Sequence, residues 1–275
     1  AHINLGNALL KMMLYEDAEA SYRAALAVRP DSCNAHLWLA NALRRQNRRE
    51  DAVASCRAAL ALAPDRAEAH SSLGTAFREM GRLDEAVDSY QRALSLDQDN
   101  AGAHSNLGVV LADMGRLEDA AASHLKALEI DPGNAEARYN LGLLHLMAGR
   151  FREGWAGYAL RWYLDEYADK PEFPQAPWDG STLAGKSILV WAEQGIGDEI
   201  MFAGMITDLI ETGARVTLEC DHRLVPLYQR SFPGIECVPR AAPPVRETRR
   251  DDIDFQMPVG DFCGWFRADL ASFPA

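Results

Sequence analysis

Asp198 and Glu199 stand side by side in "EQGIGDEI", just after Gly195 and Gly197. An Asp at a helix N-terminus that faces a cleft can take a proton from a sugar or protein hydroxyl. The same side chain can instead cap the helix, contributing about 0.5–2 kcal/mol. The residue type leaves both roles open. Gln194 can orient an acceptor hydroxyl or serve as a plain turn residue. The glycines also begin a dinucleotide fingerprint, but Ile200 stands where its third glycine belongs. Glu219 and Asp221 lie where a ribose-binding acid would sit, yet two carboxylates in the first helical turn repel a pyrophosphate. The Lys and Ser/Thr of a phosphate-binding loop are missing, so no cofactor is expected. His222 reads as a surface or capping histidine.

A second set of chemical residues is periodic. His2, His36, His70 and His104 recur every 34 residues, and Arg138 takes the next place. Equivalent positions in stacked repeats lie about 10 Å apart, the distance of packed helix layers, so they cannot share an ion. The five cysteines are scattered with no CxxC pair, which argues against a disulfide framework or a zinc site. No metal is expected. The D-x-D pairs Asp97 with Asp99, in a repeat turn, and Asp252 with Asp254, at the opening of a further strand, read as incidental in an acidic chain.

The histidines belong to a wider repeat. Leu5, Leu39, Leu73, Leu107 and Leu141 keep the 34-residue step, as do Gly6, Ala40, Gly74, Gly108 and Gly142. Ala18, Ala52, Ala86 and Ala120 follow it, with Gly154 in the fifth copy. Such a period signals stacked supersecondary units. Each unit reads as two helices. Small residues allow close approach, a glycine such as Gly81 makes the turn, and Pro30, Pro64 and Pro132 close their units. Asn4, Asn106 and Asn140 share one repeat position, held by Trp38 and Ser72 in copies two and three. A carboxamide offers both donor and acceptor and can hold a peptide backbone; a solvated polar face is the other reading.

Residues 163–186 hold Pro171, Pro174 and Pro177 with Gly180 and Gly185 and read as an ordered connector docked by Phe173 and Trp178. The period then changes. "SILVW" (187–191), residues 214–220 and residues 233–239 read as strands. Helical patterns at 199–212 and in "RLVPLYQRSF" lie between them. Such alternation predicts a parallel doubly wound sheet with "EQGIGDE" at its carboxyl edge. Trp155 and Trp162 read as core. The predicted organisation is an α-solenoid over 1–162, a connector over 163–186 and a Rossmann-like domain over 187–275.

The 34-residue units resemble tetratricopeptide repeats: four nearly complete copies and a fifth that diverges at "FREGWAGYALRW". The resemblance implies a superhelix whose concave groove binds peptides, with Asn4, Asn106 and Asn140 on the groove wall, similar to the asparagine ladder of protein O-GlcNAc transferases. "VWAEQGIGDEIMFA", with "GWAGYALRW", "FPQAPWDGSTLAGK" and "DIDFQMPVGDF" around it, resembles the first glycine turn of GT-B glycosyltransferases. The similarity is to bacterial proteins that fuse such repeats to a heptosyltransferase-like domain. That resemblance implies Asp198 as the base, with Gly195 and Gly197 letting the acceptor approach the backbone. It implies a nucleotide-sugar donor and a protein or glycan acceptor. A GT-B enzyme has a second domain for the donor, so this span by itself is expected to be inactive. The other class of function is an interaction scaffold whose Rossmann-like domain is not catalytic.

The formal charge of −12 disfavours nucleic acid, whose phosphates require clustered Lys and Arg. Residues 1–162 carry a net −3 and residues 163–275 a net −9. No run of about 18 apolar residues predicts a membrane span. Reduced cysteines and the lack of a signal segment at the given start predict a cytoplasmic protein, read as a fragment because its first repeat lacks opening residues.

Overall fold

The computed structural model describes every residue except 165–169, 194 and 274–275. It forms two compact units, residues 1–140 and 141–275.

The first unit is a stack of helix pairs: α1 (His2–Lys11) with α2 (Tyr15–Val28), α3 (Cys33–Arg45) with α4 (Arg49–Leu62), α5 (Ala67–Glu79) with α6 (Leu83–Leu96), and α7 (Ala101–Asp113) with α8 (Leu117–Ile130). The next helix, α9, spans Ala135–Met147. The turn inside each pair puts one residue in the left-handed region: Met13, Asn47, Gly81, Gly115 and Gly149, with φ between 59° and 76°. Ser32 and Asn100 cap α3 and α7 through the backbone N–H of Ala35 and Ala103. The second helices α4, α6 and α8 lack a side-chain cap and begin instead with an ion pair: Arg48–Asp51, Arg82–Glu85 and Arg116–Asp119.

Within each pair the helices meet at the small residue of the first. Tyr22 lies on Gly6, Tyr90 on Gly74 and His124 on Gly108, and all three rings are fully buried. Consecutive first helices touch one another, α1 with α3, α3 with α5 and α5 with α7. Consecutive second helices approach less closely, so the first helices line the inner side of the stack.

In the second unit α10 (Phe151–Tyr158) runs into a short 3-10 turn, Ala159–Tyr163. Among the described residues the strands are β1 (Ala176–Pro177), β2 (Ser187–Trp191), β3 (Arg215–Cys220), β4 (Glu236–Pro239) and β5 (Phe255–Pro258). All pair in parallel, in the order β1-β5-β2-β3-β4. β2 is buried on both faces, as a parallel sheet requires. Ile188 and Val190 face a core with Phe202, Met205, Ile206 and Leu209, while Leu189 and Trp191 face Ile253 on the other side.

The expected strands are present, and β1 is an addition within the connector. It is a two-residue edge strand ending in proline, a pattern that carries no strand signal. Phe173 and Trp178 dock that connector: Phe173 meets Trp191 with ring centroids 5.7 Å apart, and Trp178 is buried in the main core. The helix expected over 199–212 is two helices, α11 (Ile196–Phe202) and α12 (Gly204–Glu211). α13 (Val225–Ser231), with Pro226 in its first turn, separates β3 from β4, and α14 (Cys263–Phe266) follows β5.

The compact units divide at 140/141 rather than at 162/163, because α10 packs against α14. Trp155 Nε1 donates to the Arg267 carbonyl at 2.8 Å, which ties the last repeat helix to the α/β elements.

Candidate functional site

The repeat array carries a cavity of about 460 Å³ on its inner side, between α3, α4 and α5. Its floor is small and buried: Ala40, Ala52, Cys56 and Ala76. Leu37 and Trp38 form an apolar wall, and Asn34, Asn41, Ser72 and Thr75 add polar groups. Both interruptions of the asparagine series, Trp38 and Ser72, line this cavity. The series breaks where the groove deepens.

The cavity arises from a local change in the repeat. The position held by Tyr22 and Tyr90 in repeats one and three is Cys56 in repeat two, and the glycine beneath it becomes Ala40. The ring is gone and its space opens to the groove. Burial pushes the Cys56 thiol up to about 12, so it is an unreactive floor atom at neutral pH. Two ion pairs sit at the rim. Arg44 bonds Glu79, and Arg66 Nε meets Glu68 Oε2 at 3.0 Å.

Asn4 is exposed, and Asn106 and Asn140 are half-buried, on α1, α7 and α9. The side chains of Asn4 and Asn106 make no hydrogen bond within the described residues, so both carboxamides are available. Sequence reasoning missed Asn41, Arg44 and Cys56. The signal was present as the one repeat that exchanges Gly and Tyr for Ala and Cys.

The periodic histidines have a structural task. His36, His70 and His104 bond through Nε2 to the carbonyls of Pro30, Pro64 and Gln98 at 3.2, 2.8 and 3.1 Å. Arg138 reaches the Pro132 carbonyl in the same way. Each side chain ties the start of one unit to the end of the previous one. No cluster of three metal-ligating side chains occurs among the described residues.

In the second unit the strand order reverses between β5 and β2, where open α/β sheets receive ligands. Arg161 fills this place. It is fully buried, and its Nη2 and Nη1 reach Glu193 Oε2 at 2.7 Å and Asp261 Oδ1 at 2.6 Å. Glu193 Oε1 also accepts from the Gly260 N–H at 2.6 Å. Glu193 follows β2 and Gly260 follows β5, so the network bridges the carboxyl ends of the two strands.

Asp198 is half-buried and accepts a long 3.4 Å contact from the Gly195 N–H at the start of its own helix. Open space lies over Gly197, and Gly195 has only that carboxylate nearby. Gln194 lies outside the described residues. Glu199 turns inward, 3 % exposed, and its Oε2 accepts from the Asp221 N–H at 2.8 Å. Beside it, burial raises the Glu219 carboxyl to about 7, and burial likewise raises Glu199. Asp254 bonds the Ser187 N–H at 2.9 Å and Lys186 Nζ at 3.1 Å, joining the starts of β5 and β2. Trp162 stacks at an angle on Trp191, centroids 5.2 Å apart. His222 is exposed beside Asp221.

Models described as tetratricopeptide repeat and TPR repeat match residues 3–67, and 74–115 with 110–149, respectively. Residues 3–67 and 74–149 are tetratricopeptide repeats. FlbA of Caulobacter vibrioides is 35% identical over 138 residues. The match takes in 44% of this chain, which spans 23% of the length of FlbA. A thermophilic TPR protein of Thermus thermophilus superposes with a TM-score of 0.53 at 25% identity, over 60% of this chain and 90% of its own. Pseudomonas aeruginosa pilF superposes with a TM-score of 0.57 at 19% identity, over 85% of this chain and 91% of its own, a likeness of fold. The family matches end at residue 149, so the α/β unit is described by its own geometry. No helix among the described residues is long and apolar enough to cross a membrane.

Proposed function

We propose that the chain is an interaction scaffold that captures an extended peptide segment of a partner protein in its repeat groove. The cavity between α3, α4 and α5 carries this reading, because it provides an apolar recess on the lining side of the stack. Asn4 and Asn106 offer paired donors and acceptors to a peptide backbone, a mode that tolerates many sequences. Asn140 continues the row on α9. The α/β unit serves as a docking platform on this reading. Its ligand crevice is occupied by the chain's own Arg161, Glu193 and Asp261.

Random peptides displayed on phage and selected on the immobilised chain test this. Synthetic copies of the binders are titrated against the wild type and Asn106→Ala. Weakening by a factor of about five to ten, the worth of one or two backbone hydrogen bonds, supports the groove. A selection that yields no saturable binder rejects it.

The open backbone over Gly195 and Gly197, with Asp198 beside it, favours a second reading. In a longer form of the protein, Asp198 deprotonates an acceptor hydroxyl during transfer from a nucleotide-sugar. Asp198→Asn then abolishes transfer while leaving the fold intact. Transfer that survives the substitution rejects the base.

A further inference from the structure

Tyr22 and Tyr90 show what the array does with a phenol. Each ring rests on a glycine, and each hydroxyl meets a polar side chain on the adjoining first helix. Tyr22 Oη donates to Asn7 Oδ1 at 2.7 Å, and Tyr90 Oη lies 2.8 Å from Thr75 Oγ1. Repeat two keeps the polar partner and lacks the ring. Asn41 occupies the position of Asn7 and Thr75, but Cys56 stands in place of the tyrosine. The Asn41 carboxamide has one bond, its Oδ1 accepting from Arg44 Nη2 at 3.2 Å, and its amide nitrogen has no partner within the described residues.

We infer that this cavity receives a tyrosine side chain from the bound peptide, which supplies the ring that repeat two lacks. The inference rests on the groove reading above and names the residue the groove selects. Three observations fit a neutral phenol. The floor of Ala40, Ala52, Cys56 and Ala76 is made of small buried side chains, with no aromatic side chain among them. Trp38 stands at the wall, 39 % exposed and without a ring partner among the described residues, in place for an edge-to-face contact. Each rim cation is matched by an acid, Arg44 by Glu79 and Arg66 by Glu68, so the mouth offers no uncompensated charge to a carboxylate or phosphate. The incoming ring cannot lie where Tyr22 lies on Gly6, because Ala40 fills that contact. It enters higher, from the groove, with its hydroxyl toward Asn41.

The test uses p-cresol, the tyrosine side chain alone, titrated into the isotopically labelled chain and followed by amide resonances. Saturable shifts at Asn41, Thr75 and Ala76 in the millimolar range are expected, with toluene binding at least about five-fold more weakly for want of the hydroxyl bond. The double substitution Ala40→Gly with Cys56→Tyr installs the pair used by repeats one and three and fills the cavity. It should abolish the p-cresol shifts and weaken tyrosine-bearing selected peptides by about ten-fold or more. Absence of shifts in the wild type, or equal binding of p-cresol and toluene, overturns the inference without touching the groove. Selected peptides that ignore the double substitution but respond to Asn106→Ala also overturn it and leave the groove reading standing. Failure of peptide selection with p-cresol still binding rejects the groove, and with it a tyrosine delivered by a bound peptide.

Discussion

Gly108 lies against the imidazole of His124, so that a Cβ on the glycine would stand 2.7 Å from the ring. His124 is fully buried and cannot retreat toward solvent. Gly108→Ala therefore overpacks the fourth helix pair and should cost about 1–3 kcal/mol. Urea unfolding of the repeat transition measures this. An unchanged midpoint would mean that the pair is looser than described.

His124 also makes the repeats sensitive to acid. Burial lowers its pKa from 6.5 to about 4. The unfolded chain then binds a proton at a higher pH than the folded one. The stabilising effect of a neutral imidazole is fully present above pH 6.5 and is lost as pH falls toward 4. About 2 kcal/mol should disappear by pH 5. His124→Phe should flatten the stability profile in that window, leaving carboxylate effects below it.

Met13 holds the left-handed turn position that three later units give to glycine, with φ of 59°. An L side chain there costs about 1 kcal/mol. Met13→Gly should raise the stability of the first pair by up to that amount. Amide exchange in α1 and α2 should slow accordingly. Faster exchange would show that the Met13 side chain contributes packing that outweighs its backbone cost.

Glu219 makes the α/β unit behave in the opposite sense. Its folded pKa of about 7 lies above the usual carboxylate value of 4.5 because of burial. The folded state binds the proton more tightly, so stability falls as pH rises from 4.5 to 7 and stays reduced above that. Glu219→Gln removes the charging step. It should stabilise this unit at pH 8 by on the order of 2–3 kcal/mol and have little effect at pH 4.5. Thermal unfolding at the two pH values reads the difference.

Arg161→Met removes the cation shared by Glu193 and Asp261 and leaves a buried carboxylate without its partner. A loss of about 3–5 kcal/mol is expected. Adding Glu193→Gln should recover part of it, since an amide has no charge to desolvate. No recovery would show that Asp261, rather than Glu193, bears the penalty.

The repeats were legible because their period is written in small residues that each unit must reuse for close packing: Gly6, Gly74 and Gly108 under Tyr22, Tyr90 and His124. The histidine series was visible in position but not in purpose, since its bond to a carbonyl six residues back depends on the linker's path. β2 and β3 were legible as apolar runs, whereas β1 consists of two residues ending in proline. The cavity was present in the sequence only as an exception. Cys56 departs from Tyr22 and Tyr90, and a small residue at one copy of a period carries no sign of the space that the missing ring leaves. Arg161 carried no signal of its own inside "FREGWAGYALRW", the stretch where the fifth copy diverges. Its partners Glu193 and Asp261 lie far along the chain, and only folding brings the three together.

The position of Arg161 constrains where the protein can be cut. Severing the chain after residue 162, where the repeats fade, would carry the guanidinium away with one piece and strand two acids inside the other. α10 continues the 34-residue step through Gly154 and belongs to the α/β unit by contact. An autonomous α/β fragment must therefore begin no later than the fifth repeat, so that its keystone comes from what looks like its neighbour.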